Sequence, residues 1–202
     1  MYNIVVLASG NGSNFQAVID AIDHGVINNA RISKLICNNK RAYVLQRARE
    51  NGIASVLVDT KKGDYNSIIS AILSAENPDL ILLDGYMRII PDYIIDAYPF
   101  KIINLHPSLL PAFGGMGYYG SRVHEAVINS GTRYSGCTVH FTTKDVDNGP
   151  IIDQRVVEVC DHETPESLEK KIHEEEHKSL VFSINLLITK RYTINGKRVI
   201  RE

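Results

Sequence analysis

The sequence predicts an α/β protein built on a mainly parallel sheet. Residues 4–8, Ile-Val-Val-Leu-Ala, form an unbroken apolar run, which is typical of a strand buried on both faces. Similar runs recur at 32–37, 54–58, 80–83 and 102–105, with helical segments between them. This alternation builds parallel βαβ units with crossover helices. We therefore expect a Rossmann-like, twisted, mainly parallel sheet with helices on both faces.

The remaining elements follow from periodicity and turn residues. Helices that separate the five strands are expected at 15–23, 42–50, 65–75 and 91–97. The rest of the chain is expected to form a loop at 107–120, helices at 122–129 and 165–187, and hairpins at 136–159 and 192–200. Asn195-Gly196 is the preferred turn dipeptide of a two-residue hairpin. The antiparallel additions to the sheet therefore belong to the C-terminal half.

Length, charge and cysteine content limit the class of protein. The 202 residues carry a formal net charge of −1, which argues against a dedicated nucleic-acid binder. No apolar run approaches the ~18 residues of a membrane span, and the N-terminus lacks a basic signal-peptide segment. The three cysteines are widely spaced, which favours the reducing cytoplasm. We expect one domain over 1–202, with halves of about 1–99 and 100–202, as a monomer or weak homodimer.

A glycine-rich turn follows the first predicted strand. Ser9-Gly-Asn-Gly-Ser-Asn14 precedes a helix, whose free N–H groups can bind an anion. A dinucleotide-binding turn would have a third glycine where Phe15 stands, and a Walker loop would have Gly-Lys-Ser/Thr. The pattern predicts a monophosphate site at Gly12, Ser13 and Asn14. A tight turn without any ligand is the alternative.

Two polar side chains end the fifth predicted strand. Asn104 and His106 are two residues apart, so they share one face, and Pro107 ends the strand. Open α/β sheets bind ligands at the carboxyl ends of their strands. An amide beside an imidazole can stabilise an oxyanion and transfer a proton. The alternative is that both side chains only satisfy loop carbonyls.

The segment Asn104-Leu-His-Pro-Ser-Leu-Leu-Pro111 resembles the folate-dependent formyltransferases. The resemblance extends over nearly the whole chain and is strongest at 9–14, 85–90, 104–111 and 137–150. It implies the formyltransferase fold and transfer of the formyl group of 10-formyltetrahydrofolate to the primary amine of glycinamide ribonucleotide (GAR). That reaction is a step of purine biosynthesis, and it uses no metal.

The resemblance also implies catalytic roles. Asn104 and a protonated His106 would stabilise the oxyanion, and Asp147 would support His106, raising the pKa of its imidazole. The sequence alone does not choose between Asp147 and Asp145. His140 is a secondary candidate, for which a satisfied core histidine is the alternative.

Binding residues follow from the same resemblance. The GAR-binding residues would be Gly12, Ser13, Asn14 and Glu176. The folate-binding residues would be Lys62, Met87, Arg88, Ile89, Ile90, Asn104, Thr143, Lys144, Asp145 and Val146. Independently, helical periodicity places Glu176 inside an apolar stripe of the long helix, where a carboxylate requires a partner. His173 aligns where many family members have Gln.

The segment His173-Glu-Glu-Glu-His177 matches the His-Glu-x-x-His pattern of zinc peptidases. Catalytic zinc requires a third protein ligand, and residues 178–201 contain no His, Asp or Cys. We therefore expect no metal site, and we expect a chance match on a charge-rich helix.

Three other functions fit parts of the pattern. A methionyl-tRNA formyltransferase shares the Ser-Leu-Leu-Pro segment but has a further domain and a basic surface. A formyltetrahydrofolate hydrolase shares the same core but usually has a regulatory domain before it. A non-enzymatic nucleotide-binding module would bind phosphate without turnover. This chain also has Gly114 where many family members have Pro, which leaves the shape of loop 112–120 open.

Overall fold

The structure, a computed structural model, describes residues 1–61 and 63–202. It divides into two compact units, residues 1–103 and 104–202. Lys62, one of the predicted folate ligands, lies outside the described residues. The organisation as one domain stays a prediction.

The first unit is a parallel α/β unit. Its elements are β1 Tyr2–Ala8, α1 Ser13–Asp23, β2 Ala30–Cys37, α2 Val44–Glu50, β3 Ser55–Leu57, α3 Tyr65–Glu76, β4 Leu80–Asp84 and α4 Asp92–Ala97. The strand order is β3-β2-β1-β4, and β5, Ile102–His106, follows β4. Strands β1, β2, β3 and β4 pair in parallel, and Ala8 is in register with both Cys37 and Asp84. The carboxyl ends of three strands therefore coincide, which places the following loops together.

Apolar strand residues form the core of this unit. The unbroken hydrophobic runs of β1 and β4 are buried along their whole length after Tyr2. One face of the sheet packs on α3 and α4 through a cluster that comprises Val5, Leu7, Ile36, Val58, Ile69, Leu73, Ile81, Leu83, Ile90, Ile94 and Ile102. Burial of such side chains contributes about 1.5–3 kcal/mol each, which fixes the strand ends that carry the glycine turn.

The second unit combines β5 with antiparallel strands and two helices. Its further elements are α5 Ser121–Ser130, β6 Tyr134–Phe141, β7 Ile151–Glu158, α6 Pro165–Thr189, β8 Tyr192–Asn195 and β9 Arg198–Arg201. The order after β5 is β6-β7-β9-β8, with antiparallel pairing of β6 with β7 and of β8 with β9. Helix α6 packs against β6, β7 and α5. Its N-terminus has a capping box formed by Thr164 and Ser167.

The fold class predicted from the sequence is confirmed, with a mainly parallel sheet and antiparallel strands near the C-terminus. Differences are confined to element ends. Strand β2 begins at Ala30 and β6 at Tyr134, two residues earlier than predicted, because Ala30-Arg31 and Tyr134-Ser135 pair in the sheet although they do not extend the apolar runs. Within the described residues, none of the helices has the length and apolar character needed to span a bilayer.

Candidate active site

A polar cluster in the second unit surrounds the carboxylate of Asp147. Asn104 Nδ2 lies 3.4 Å from Asp147 Oδ1, and His106 Nδ1 lies 3.6 Å from Asp147 Oδ2. Both β5 side chains thus reach one group, which confirms the expectation that Asn104 and His106 share a face. Asp147 belongs to the turn between β6 and β7. The cluster therefore joins the end of β5 to that turn.

The structure places Asp147, rather than Asp145, beside the histidine. The Asp147 side chain is 11% exposed and also accepts a hydrogen bond from Gly115 N–H, at 2.9 Å. Asp145 is exposed and accepts from Asn148 Nδ2 in its own turn. Burial raises the pKa of Asp147, but its interactions with His140, His106 and the Gly115 N–H together outweigh burial, so the pKa falls below its usual value. Asp147 is therefore a stable anion in this cluster.

His106 is buried and held at both ring nitrogens. Its Nε2 lies 2.7 Å from the carbonyl oxygen of Phe113, so Nε2 carries the proton and donates it. Its pKa is lowered, mainly by burial, although Asp147 acts in the raising direction. Asp147 thus acts to raise the pKa of His106, as expected. The expected net rise is wrong, because burial has the larger effect. The imidazole is uncharged at neutral pH, and a second proton would occupy Nδ1, facing Asp147.

His140 takes part in the cluster from β6. Its side chain is 2% exposed, and its Nε2 lies 3.3 Å from Asn104 Nδ2 and 3.6 Å from Asp147 Oδ1. Its Nδ1 lies 3.0 Å from the carbonyl oxygen of Phe141, which is an acceptor only. Nδ1–H is therefore the donor, and Nε2 accepts from Asn104. His140 orients the amide of Asn104.

The loop after β5 contributes backbone groups that the sequence analysis missed. Phe113 provides the carbonyl that accepts from His106, and Gly115 provides the N–H that donates to Asp147. Ser108 Oγ donates to the carbonyl of Ala112 at 2.6 Å, which helps to hold this loop. No side-chain pattern could have identified these groups, because every residue has the same backbone. The glycines at 114 and 115 were the available signal, since Gly115 has a φ of +90°.

In the first unit, the glycine turn leads into α1 as predicted. Gly12 precedes the first helical residue with a φ of +75°, and a Cβ there would lie 2.5 Å from Val44 Cγ2. The third N–H of the helix, that of Phe15, donates to the buried carboxylate of Asp84 at 3.1 Å. Asp84 is a residue that the sequence analysis missed. The Phe15 N–H is therefore already used within the protein, and the phosphate site at Gly12, Ser13 and Asn14 stays a prediction.

The two glycines of this turn should respond differently to alanine. Gly12→Ala is expected to lower the free energy of unfolding by about 2 kcal/mol, because it combines a left-handed backbone with a clash against α2. Gly10→Ala is the matched control, since a Cβ there meets nothing within 4 Å. Its unfolding free energy should stay within about 0.5 kcal/mol of the parent. Denaturant unfolding measures both, and equal losses would contradict this account of Gly12.

The predicted folate residues of the first unit differ in exposure. Met87 and Ile89 are 51% and 59% exposed, whereas Ile90 is 5% exposed and belongs to the core cluster. The Ile90 side chain is therefore a packing residue, and only its backbone could contact a ligand. Arg88 donates to Thr60 Oγ1 at 3.2 Å and stacks on the ring of Tyr65. Met87 N–H donates to Ser9 Oγ, which ties this segment to the glycine turn.

The predicted folate residues of the second unit lie in the turn before Asp147. Thr143 Oγ1 donates to the carbonyl of Asp145 at 3.0 Å, while Lys144, Asp145 and Val146 are exposed. Gly149 closes the turn, where a Cβ would lie 1.7 Å from the Phe141 carbonyl oxygen. This close approach allows only glycine. The turn is therefore a well-defined backbone segment next to the catalytic candidates.

Glu176 lies on the buried face of α6, as the helical periodicity predicts. It is 3% exposed, between the buried Ile172 and Leu180. Its partner is His173, whose Nδ1 lies 2.6 Å from Glu176 Oε2. Over residues 1–61 and 63–202, the structure has no group of three or more His, Cys, Asp or Glu that could hold a metal ion. The two ring nitrogens of His173 face the carboxylates of Glu169 and Glu176, so the ring is not directed to a metal site shared with His177.

Comparisons with known proteins find clear relatives. The family profile described as "Formyl transferase" matches residues 2–184. The chain is 38% identical, over 193 residues, to the chloroplastic phosphoribosylglycinamide formyltransferase of Arabidopsis thaliana, covering 93% of this chain and 66% of that protein. It is 38% identical to the phosphoribosylglycinamide formyltransferase of Bacillus subtilis (strain 168), covering 88% and 90% of the two chains.

A solved structure shows the same fold. The crystal structure of glycinamide ribonucleotide transformylase 1 from Symbiobacterium toebii superposes with a TM-score of 0.93 and 37% identity. The match covers 100% of this chain and 94% of that one. By contrast, the chain spans slightly less than two thirds of the plant relative's length, at 66%.

Proposed function

The chain belongs to the formyl transferase family, and from that premise we propose that it is a phosphoribosylglycinamide formyltransferase. It transfers the formyl group of 10-formyltetrahydrofolate to the primary amine of GAR, giving formyl-GAR and tetrahydrofolate in purine biosynthesis. The observation that carries the proposal is the cluster in which Asn104 and His106 both lie beside the carboxylate of Asp147. Formyltetrahydrofolate acts as a co-substrate, and the proposed reaction requires no metal.

The chemistry requires stabilisation of one oxyanion and movement of one proton. The amine of GAR attacks the formyl carbon, a C–N bond forms, and the carbonyl oxygen becomes an oxyanion. Donors placed where this charge develops lower the barrier. Asn104 Nδ2–H and His106 Nε2–H are the available donors, and both are now donated to protein acceptors. The oxyanion competes for these protons because its charge makes it a stronger acceptor than a carbonyl oxygen.

Proton transfer completes the reaction. The attacking amine loses a proton, and N10 of the folate gains one as its bond to the formyl carbon breaks. Asp147 is the anion that stabilises a doubly protonated His106, so the imidazole can accept the first proton and supply the second. His140 orients the amide of Asn104, so that its N–H group is placed as a donor for the oxyanion. The four side chains thus have complementary roles.

The proposed binding roles are assigned residue by residue. We assign the phosphate of GAR to the amides of Gly12, Ser13 and Asn14, which precede the N–H that Asp84 occupies. Glu176 is assigned to the polar ribonucleotide portion. The folate is assigned to the segments 87–90 and 143–146, with Lys62 as a further predicted ligand. The exposed side chains of Met87 and Ile89 support an apolar contact with the flat pterin.

The proposed partners are the two small-molecule substrates alone. We expect neither nucleic acid nor membrane as a partner, and a monomer or weak homodimer as the assembly. The proposed compartment is the cytoplasm. Three free cysteines support a reducing environment, with Cys37 and Cys137 buried and Cys160 exposed.

One assay tests this function. Purified protein is mixed with 10-formyltetrahydrofolate, with and without GAR, and tetrahydrofolate and formyl-GAR are measured. The proposal requires loss of the folate's formyl group that depends on GAR and yields an equal amount of formyl-GAR. Equal loss of formyl without GAR would indicate a hydrolase instead. No turnover with phosphate binding alone would indicate a non-enzymatic binding module.

A further inference from the structure

His173 lies between two carboxylates on one face of α6. Glu169 is four residues before it and Glu176 three residues after it, so both are neighbours on the helix surface. His173 Nε2 lies 3.5 Å from Glu169 Oε1, and His173 Nδ1 lies 2.6 Å from Glu176 Oε2. The ring therefore faces an acceptor at each nitrogen. The function proposed above gives this histidine no role.

The two carboxylates differ strongly in exposure. The Glu176 side chain is 4% exposed, whereas those of Glu169 and His173 are 41% and 43% exposed. An ionised carboxylate in so buried a position is costly unless a cation pairs with it. His173 can be that cation because half of its ring remains in contact with water. The hydrogen bond to Glu176 also fixes the direction in which the buried carboxylate points.

Two histidines and one cysteine from other elements also lie near Glu176. His124 from α5 and His106 from β5 both have lowered pKa values, chiefly because they are buried. Burial raises the pKa of the Cys137 thiol, from β6, to about 12. His173 behaves differently, since its hydrogen bond to Glu176 raises its pKa above the usual value. Among these four groups, His173 is the one whose pKa shift favours a positive charge.

We propose that His173 is a positioning residue, which holds the Glu176 carboxylate in the orientation that the ribonucleotide requires, while Glu169 supports the ring from its other side. The inference rests on the function proposed above and deepens it, because it explains how a buried carboxylate remains an acceptor for the hydroxyl or amine groups of the substrate. Without His173, Glu176 would lose the hydrogen bond that fixes the direction of its carboxylate. The His-Glu-x-x-His match then reflects an ion pair on the helix.

Kinetics of matched variants test this role. His173→Ala should raise the KM for GAR by about tenfold, the equivalent of one charge-assisted hydrogen bond, with kcat within about twofold. His173→Gln keeps an N–H donor and should restore much of the affinity at neutral pH. Lys178→Ala is the control, because Lys178 and Glu175 form a pair of the same spacing on the same helix, 2.6 Å apart but more exposed. The KM for the folate should be unchanged in all three variants.

Titration of the free protein gives a readout that does not depend on activity. The His173 imidazole, assigned by its absence in His173→Gln, should titrate by NMR above the usual midpoint of histidine. Glu176→Gln should lower that midpoint clearly, and Glu169→Gln should lower it less, since its contact is longer and more exposed. In the parent, the KM for GAR should rise once the pH passes this midpoint. In His173→Gln, this rise should disappear.

The possible failures are distinguishable. If the parent shows no GAR-dependent transfer, the proposed function is wrong, and the titration still decides whether His173 and Glu176 are paired. If the parent is active and His173→Ala has the parental KM, the positioning role is wrong. A His173 midpoint that Glu176→Gln leaves unchanged would also overturn it.

Discussion

Replacing His106 or Asn104 by alanine is expected to lower turnover by about 10²-fold or more each, while the protein remains folded. In the proposed mechanism both side chains supply a donor to the oxyanion, and loss of one such donor typically costs 10²- to 10³-fold in kcat. Both lie at the end of β5 and share the carboxylate of Asp147. The measurement is the rate of formyl-GAR formation at saturating concentrations of both substrates.

The controls separate chemistry from folding. His24→Ala changes a histidine of the first unit that is exposed and bonded only to the α1 backbone within the described contacts, so turnover should stay near that of the parent. Denaturant unfolding should show each variant to be folded under assay conditions. The double variant of Asn104 and His106 should lose less than the product of the two single losses, because the residues act on one oxyanion. Turnover near the parental value in both single variants would remove them from the mechanism.

Asp147→Asn is expected to lower turnover by about 10²-fold with a small change in KM for either substrate. The amide cannot stabilise a doubly protonated His106, and Gly115 N–H loses a charged acceptor. Asp145→Asn is the matched control from the same turn, where the carboxylate is exposed. The kcat and KM of the two variants, measured side by side, test the assignment. An effect limited to folate affinity would contradict a role in proton transfer.

The pH dependence of Asp147→Asn follows from the direction of the pKa values. Asp147 acts to raise the pKa of His106, although burial makes the net shift a lowering. Removal of its charge therefore lowers the pKa of His106 further. If protonated His106 is the acid, activity falls as the pH rises through that pKa, and the fall should move to lower pH in the variant. A pH profile of kcat that keeps its midpoint would argue that another group supplies the proton.

Much of the candidate site could be inferred before any coordinates. The polar pair was found because strand residues two apart face the same way, and Pro107 marks the end of β5. Glu176 was found because an acidic residue interrupts an apolar stripe, and the structure buries it with a partner. These inferences depend on local geometry, which the sequence specifies directly. They needed no knowledge of how distant segments pack.

The missed features share one physical cause. Asp84 caps the first turn of α1 from a residue 69 positions away, and its role depends on the parallel register of β1 and β4. Ile90 belongs to the segment 87–90 that was predicted to bind folate, yet its side chain packs into the core. In each case the decisive contact is long-range. Residue type and spacing along the chain do not specify such contacts.

Local sequence patterns were enough to predict the order of the strands and helices, the position of the glycine turn, and the placement of Asn104 and His106 on one face. Apolar periodicity and turn residues reflect interactions over a few residues, so they can be interpreted without knowledge of the fold. The folded coordinates were needed to show that Asp147 rather than Asp145 lies beside His106, and that the backbone of Phe113 and Gly115 takes part. They were also needed to show that burial outweighs the carboxylate in setting the pKa of His106. Those outcomes depend on desolvation and on distances between segments that are brought together only when the chain folds.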